Sequence, residues 1–250
     1  MKNKIILNIP HSSLALPREF KKTEKVLTDA QIEEFNLEMT DLFADILFSY
    51  RRFSSVKAKS SRIACDVEKF IDDSKEVMAK YGLGVIYEND LNGNRIFKED
   101  NNEYKKQIIK NYYLPYHDKL DKIVRKNLKK HKVVLVDCHS FSKEIIMDKI
   151  KKEDLPDICI GFDENFCSQK VLNFTCNYFD NLGYKIKINY PYEGSMVPDY
   201  LINYGNSNFS TIMLEINRNL YSSNYKKNKN FKTLKSQIKV FLKSLRHLII

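Results

Sequence analysis

The run Val133-Val134-Leu135-Val136 passes straight into Asp137-Cys138-His139-Ser140. A continuous apolar run without alternation reads as a strand buried on both faces, as in a parallel or mixed sheet covered by helices. In such sheets ligands gather past the carboxyl ends of the strands, which is where His139 falls. The start of the chain repeats the pattern, with Ile5-Ile6-Leu7-Asn8-Ile9 leading into Pro10-His11-Ser12-Ser13. Two of the five histidines therefore stand just beyond two apolar strands.

Further strands are expected at 55–58, 61–67, 84–87, 157–161, 184–188 and 211–216, the last carrying Glu215 near its end. Thr28-Asp29-Ala30-Gln31 has the form of a capping box and opens a helix expected to run to about residue 50. On that helix Glu38, Asp41 and Asp45 would share one face. Asn101 can cap a helix to about 113, which Pro115 interrupts or restarts. A polar stretch follows the central strand to Asp154. Residues 165–181 read as a helix closed by Gly183, and an amphipathic helix from Leu234 onward closes the chain. The pattern is α/β, with helices on both faces of a mixed, largely parallel sheet.

The length of 250 residues suits one domain over 1–250, and 43% hydrophobic with 30% charged residues suits a globular chain. The net charge of +10 is read as lysine-rich composition, with nucleic acid or anionic lipid as the alternative. No signal peptide is recognisable, and no apolar stretch reaches the ~18 residues of a membrane helix. Five cysteines without CxxC spacing suggest reduced packing residues and a cytoplasmic protein.

Neutral imidazole is a favoured zinc ligand, and a catalytic zinc takes three protein ligands. His11, His139 and one carboxylate from the acidic helix face would meet that need. Glu215 is the candidate general base. Arg62 and Asp66 form either an ion pair or, through Arg62, a clamp for a substrate carboxylate. His117 is expected to be a packed histidine. Adjacent strand residues face opposite ways, so Cys138 and His139 cannot form a nucleophile–base pair. There is no HExxH, paired CxxC, P-loop or GxGxxG.

With those residues in view, the chain resembles the N-formylglutamate amidohydrolase family. The resemblance is carried in order by Pro10-His11-Ser12-Ser13, Thr40-Asp41-Leu42, Ser61-Arg62-Ile63-Ala64-Cys65-Asp66, Pro115-Tyr116-His117, Val136-Asp137-Cys138-His139-Ser140, Asn189-Tyr190-Pro191-Tyr192-Glu193-Gly194 and Leu214-Glu215-Ile216-Asn217-Arg218-Asn219-Leu220-Tyr221. It implies a three-layer αβα sandwich of phosphorylase/hydrolase-like type, akin to zinc carboxypeptidases. It also implies a zinc hydrolase that cuts the amide of an N-acylated amino acid such as N-formylglutamate. His11, His139 and Asp41 would hold the metal, with Glu38 the fallback for the third place. Glu215 would be the base, and Arg62 and Arg218 would hold substrate carboxylates. Three positions depart from the family pattern. Ser13 and Ser195 stand where glycines are common, and Asp66-Val67-Glu68-Lys69 replaces Asp-x-Asn-Arg.

The expected partner is a small N-acyl amino acid, with no nucleic acid and no membrane. The alternatives are a related metallopeptidase or amidase acting on a peptide or cell-wall fragment, and a non-catalytic basic protein that binds nucleic acid.

Overall fold

The computed structural model describes residues 3–99, 102–142 and 154–248. The expected cap Asn101, and residues 143–153 of the polar stretch, lie outside the described residues. In chain order the elements begin with β1 (Lys4–Ile9), α1 (Arg18–Lys22), α2 (Asp29–Met39), α3 (Ala44–Leu47) and β2 (Ser54–Lys57). They continue with α4 (Asn102–Ile108), α5 (Leu114–Leu128), β3 (Val133–Phe141), β4 (Ile158–Gly161), α6 (Gln169–Asp180) and β5 (Ile186–Ile188). The last are α7 (Asp199–Ile202), β6 (Phe209–Asn217), the short pair β7 (Ser222–Ser223) and β8 (Lys226–Lys227), and α8 (Phe231–His247).

The chain divides into two compact units. The first comprises residues 1–9, 43–56 and 119–250, and the second 10–42 and 57–118. The first unit is built on a six-stranded sheet in the order β2-β1-β3-β6-β4-β5. β1 and β6 both run parallel to β3, β4 runs antiparallel to β6, and β5 is parallel to β4. This is the mixed, mostly parallel α/β sheet with flanking helices that the apolar runs imply. All nine residues of β3 are buried.

The sheet's period of two sorts its residues. Ile5, Leu7 and Ile9 of β1, Val134, Val136 and Cys138 of β3, and Ile212, Leu214 and Ile216 of β6 enter one apolar core. Ala44 and Leu47 of α3, Val171 and Phe179 of α6, and Ile238, Phe241 and Leu245 of α8 close over it. The alternate positions Asn8, Asp137, His139 and Glu215 therefore share the other face. A one-residue slip in register would drive the last three into the apolar core, so core packing also fixes where the polar residues point.

The second unit contains α1, α2 and α4. Thr28 caps α2 as expected, accepting from the Gln31 amide while the Gln31 side chain accepts from the Thr28 amide. The rings of Phe20, Phe97 and Tyr104 pack together at centroid distances of 5.3 to 6.3 Å.

Several expectations are corrected. The helix from 28 does not reach 50. It stops at Met39, where the Thr40 hydroxyl bonds back to the Asn36 carbonyl at 2.7 Å and Phe43 adopts a left-handed φ of 65°. Glu38, Asp41 and Asp45 therefore do not share a continuous helix face. The segment 61–67 is a turn closed by Ala64 and Cys65 amides on the Ser61 carbonyl, not a strand. Around 84–87 there is only an isolated bridge between Leu83 and Tyr87. A π-helical turn, Ile109–Tyr113, joins α4 to α5 just before Pro115. Proline has no N–H to offer the preceding turn, and a widened turn is one way to accommodate it.

Candidate active site

In the second unit His11 follows directly on the β1 strand. The Asp41 amide donates to its carbonyl at 2.9 Å, so the break after α2 seats Asp41 beside it. The His11 ring is buried. Its Nε2 lies 2.8 Å from Asp66 Oδ1 and 3.7 Å from Glu68 Oε2, and its Nδ1 lies 3.9 Å from Asp41 Oδ2. Asp66 is placed by the 61–66 turn and is fully buried. Its Oδ2 accepts from Arg62 Nη2 at 2.9 Å, Arg62 Nε at 3.2 Å and the Tyr87 hydroxyl at 2.8 Å. Its Oδ1 also accepts from the Glu68 amide at 3.1 Å.

In the first unit His139 and Asp137 are two residues apart on β3 and so lie on one face. His139 Nε2 is 3.0 Å from Asp137 Oδ1, which also accepts from Asn8 Nδ2 at 2.8 Å. Asp137 Oδ2 accepts from the Met196 amide at 2.8 Å. Met196 is pinned in turn, since the Thr211 hydroxyl donates to its carbonyl at 2.9 Å. Gly161 lets this loop lie close, because a Cβ there would collide with the Gly194 carbonyl and the Met213 side chain. Glu215 lies opposite His139 on β6, with Cys159 of β4 opposite it on the other side.

Both aspartates are held below the ordinary carboxylate value, by different neighbours. Burial pushes the Asp66 carboxyl up, but Arg62, His11 and Lys69 outweigh it and hold it well below the usual carboxylate range. Burial also acts on Asp137, and His139, Asn8 and the Met196 amide together hold it below its ordinary value. An ionised carboxylate can only accept a hydrogen bond. Nε2 of each imidazole is therefore assigned as the protonated, donating nitrogen. Burial, with Glu215 nearby, pushes the Cys159 thiol up to about 11, so it is a neutral thiol at ordinary pH.

Arg62 is engaged by Asp66 as an ion pair, the plainer of its two expected roles. Arg218 is buried just after β6 with Nε 3.3 Å from the Ser140 hydroxyl. His117 is packed, bonded to the Val67 carbonyl at 2.7 Å and tilted against the Tyr113 ring at 4.3 Å between centroids. Lys69 is paired with Glu76 at 3.1 Å. His11 and Glu68 of the second unit, and His139 of the first, each carry an atom of the kind that ligates a metal. Two imidazoles and a carboxylate are a donor set that fits zinc. Sequence reasoning did not single out Glu68 as a ligand. The available signal was its place in Asp66-Val67-Glu68-Lys69, where the chain departs from Asp-x-Asn-Arg. Nor did it give Asp137 a role, although an Asp-x-His pair on a strand must share a face. Among the described residues no helix is long and apolar enough to cross a membrane.

A family model described as N-formylglutamate amidohydrolase matches residues 3–222. The fold is similar to the crystal structure of N-formylglutamate amidohydrolase from Ralstonia eutropha JMP134. That match has a TM-score of 0.80 and 19% identity, covering 99% of this chain and 94% of that one. It is also similar to the gene product Atu2144 from Agrobacterium tumefaciens, with a TM-score of 0.67 and 19% identity over 98% of this chain and 92% of that one. No curated protein matches the sequence.

Proposed function

The chain belongs to the N-formylglutamate amidohydrolase family, and from that premise we propose that it is a zinc-dependent hydrolase of N-acyl amino acids, acting as a single catalytic domain over residues 1–250 in the cytoplasm. Family membership over residues 3–222 is the observation that carries the reaction class. The metal rests on the donor set of His11, Glu68 and His139.

Each histidine has its own ionised aspartate on Nε2, Asp66 for His11 and Asp137 for His139. Such carboxylate–imidazole pairs fix the tautomer and raise the basicity of the nitrogen that faces a metal. Glu68 is the third donor. Asp41, 3.9 Å from His11 Nδ1, is the alternative for that place. A zinc ion bound there would supply Lewis-acid polarisation and water activation at neutral pH.

The chain's own residues supply the rest. Glu215 accepts a proton from the attacking water as the acyl carbon–oxygen bond forms. It then delivers a proton to the amine nitrogen as the carbon–nitrogen bond breaks. Arg218 orients the substrate carboxylate next to Ser140. Arg62 does so only with the guanidinium edge that Asp66 does not occupy.

N-formylglutamate itself is one member of the substrate class. A second reading, an amide in a peptide or cell-wall fragment, is favoured by one feature. Lys69, where the family pattern has arginine, is held by Glu76, and the exposed Phe70 and Ile71 follow it. The test is a zinc-loaded assay against N-formyl, N-acetyl and bulkier N-acyl amino acids and short muropeptides. Release of amine from an N-acyl amino acid supports the proposal. Turnover of muropeptides alone selects the second reading, and no release from any member, with zinc bound, refutes both.

A further inference from the structure

The net positive charge of this protein is carried by one of its two units. The first unit holds 27 lysines and arginines against 14 aspartates and glutamates, while the second holds 15 against 18. Within the first unit the segregation is sharper still. From Ile216 to Ile250 there are nine lysines and arginines and no aspartate or glutamate. A composition bias that merely swapped in lysine throughout the chain would not leave the second unit acidic.

The fold turns this segment into a surface. α8 buries its apolar stripe, including Leu234, Ile238, Phe241 and Leu245, in the sheet's core. Its cations Lys232, Lys235, Lys239, Lys243 and Arg246 all fall within about 80° of the helix circumference, at 100° per residue. Lys239 and Lys243 stand 5.6 and 5.7 Å from the ring of Tyr50, which the exposed Arg51 and Arg52 follow in sequence. At the far end of α8 the Arg246 carbonyl accepts from the Asn3 amide, and Lys4 pairs with the Lys132 carbonyl. The row thus runs to the amino ends of β1 and β3, where Lys129 and Lys130 are also exposed. His139 and Glu215 lie toward the opposite, carboxyl ends of their strands.

We infer that this face binds the phosphate backbone of nucleic acid without sequence preference. A 17-residue helix is about 25 Å long, so its cation row meets a continuous line of phosphates rather than one small anion. The row is mostly lysine, which binds phosphate as a compact point charge rather than through arginine's planar fork. A membrane surface fits less well, because the apolar face that a membrane-seated helix would insert is spent in the core. The net charge of the whole chain does not show where the charges lie.

The test is fluorescence anisotropy with a labelled mixed-sequence 20-nucleotide DNA strand and the full-length protein. With about four phosphates contacted, affinity should fall roughly 50-fold between 50 and 200 mM salt. The variant Lys232→Glu/Lys239→Glu/Lys243→Glu should bind at least tenfold more weakly at 50 mM salt while melting with the wild type, since these side chains are exposed. Absence of binding at 50 mM salt would overturn the inference. So would a folded triple variant that binds as tightly as wild type, or stronger binding to phosphatidylglycerol vesicles than to DNA.

Discussion

Replacing Asp137 by Asn changes one atom in a side chain whose two oxygens serve three donors. Oδ1 accepts from Asn8 and His139, and Oδ2 from the Met196 amide. An asparagine offers one oxygen and one NH2. Whichever way it turns, a donor is left facing a donor. With the oxygen kept toward His139, the half-buried Met196 N–H loses its acceptor at about 1–3 kcal/mol, and the other two bonds fall from charge-assisted to neutral. The total is about 2–4 kcal/mol, or a melting drop of roughly 5–15 °C for a chain of this size. Zinc affinity should fall about 10–100-fold, the usual cost of removing an orienting carboxylate behind a ligating histidine.

The pH dependence of that loss follows from the sign of the shift. The folded-state carboxyl lies below its ordinary value, so its stabilisation is complete above the unfolded pKa of about 4 and fades as pH falls through the folded value. The gap between wild type and Asp137→Asn is therefore constant at neutral pH and closes in acid. Thermal melting and zinc competition against a chelator, each on wild type and Asp137→Asn, measure both quantities. A variant that melts within 1 °C of wild type and binds zinc equally well would refute the network as described.

Three further outcomes are expected. Glu215→Gln should lose at least a hundredfold in turnover, within the typical range for a general base, while keeping its metal; stoichiometric zinc analysis alongside the assay separates this from a folding defect. Gly161→Ala should destabilise by about 1–3 kcal/mol through overpacking, and should weaken zinc binding as Gly194 and then Met196 move off; melting and zinc titration report each effect. Iodoacetamide at pH 8 should reach Cys176 first, the one cysteine that is not buried, and should spare Cys159 and Cys167, whose thiols burial pushes up to about 11 and about 12. Peptide mapping of the labelled protein checks the order.

What could be read in the sequence depended on how the chain announces it. β1 and β3 are continuous apolar runs, and a strand buried on both faces has to be one. The strand ends carrying His11, His139 and Glu215 were legible for the same reason, and the Thr28 capping box is a local signal that held. The end of α2 was not legible, because it depends on the Thr40 hydroxyl, a left-handed Phe43 and the bond from Asp41 to the His11 carbonyl. Two of those three are tertiary or conformational facts with no periodicity behind them. Asp66 and Glu68 sit on an irregular turn fixed by Arg62 and Tyr87, so spacing alone could not say which carboxylate reaches His11. The second unit's neutral-to-acidic balance was equally hidden, since a net charge says nothing of which folding unit owns it.

The account depends on His11 and His139 serving one ion. Metal analysis of the purified protein beside His11→Ala and His139→Ala, each reconstituted with zinc and desalted, addresses that directly. The account predicts about one zinc per chain in the wild type and a large loss in each variant, since metal affinity rests on the full ligand set. Glu68→Gln should show the greater loss and Asp41→Asn the smaller if Glu68 is the third donor. A wild type that retains no zinc, or a histidine variant that retains it fully, would contradict the account.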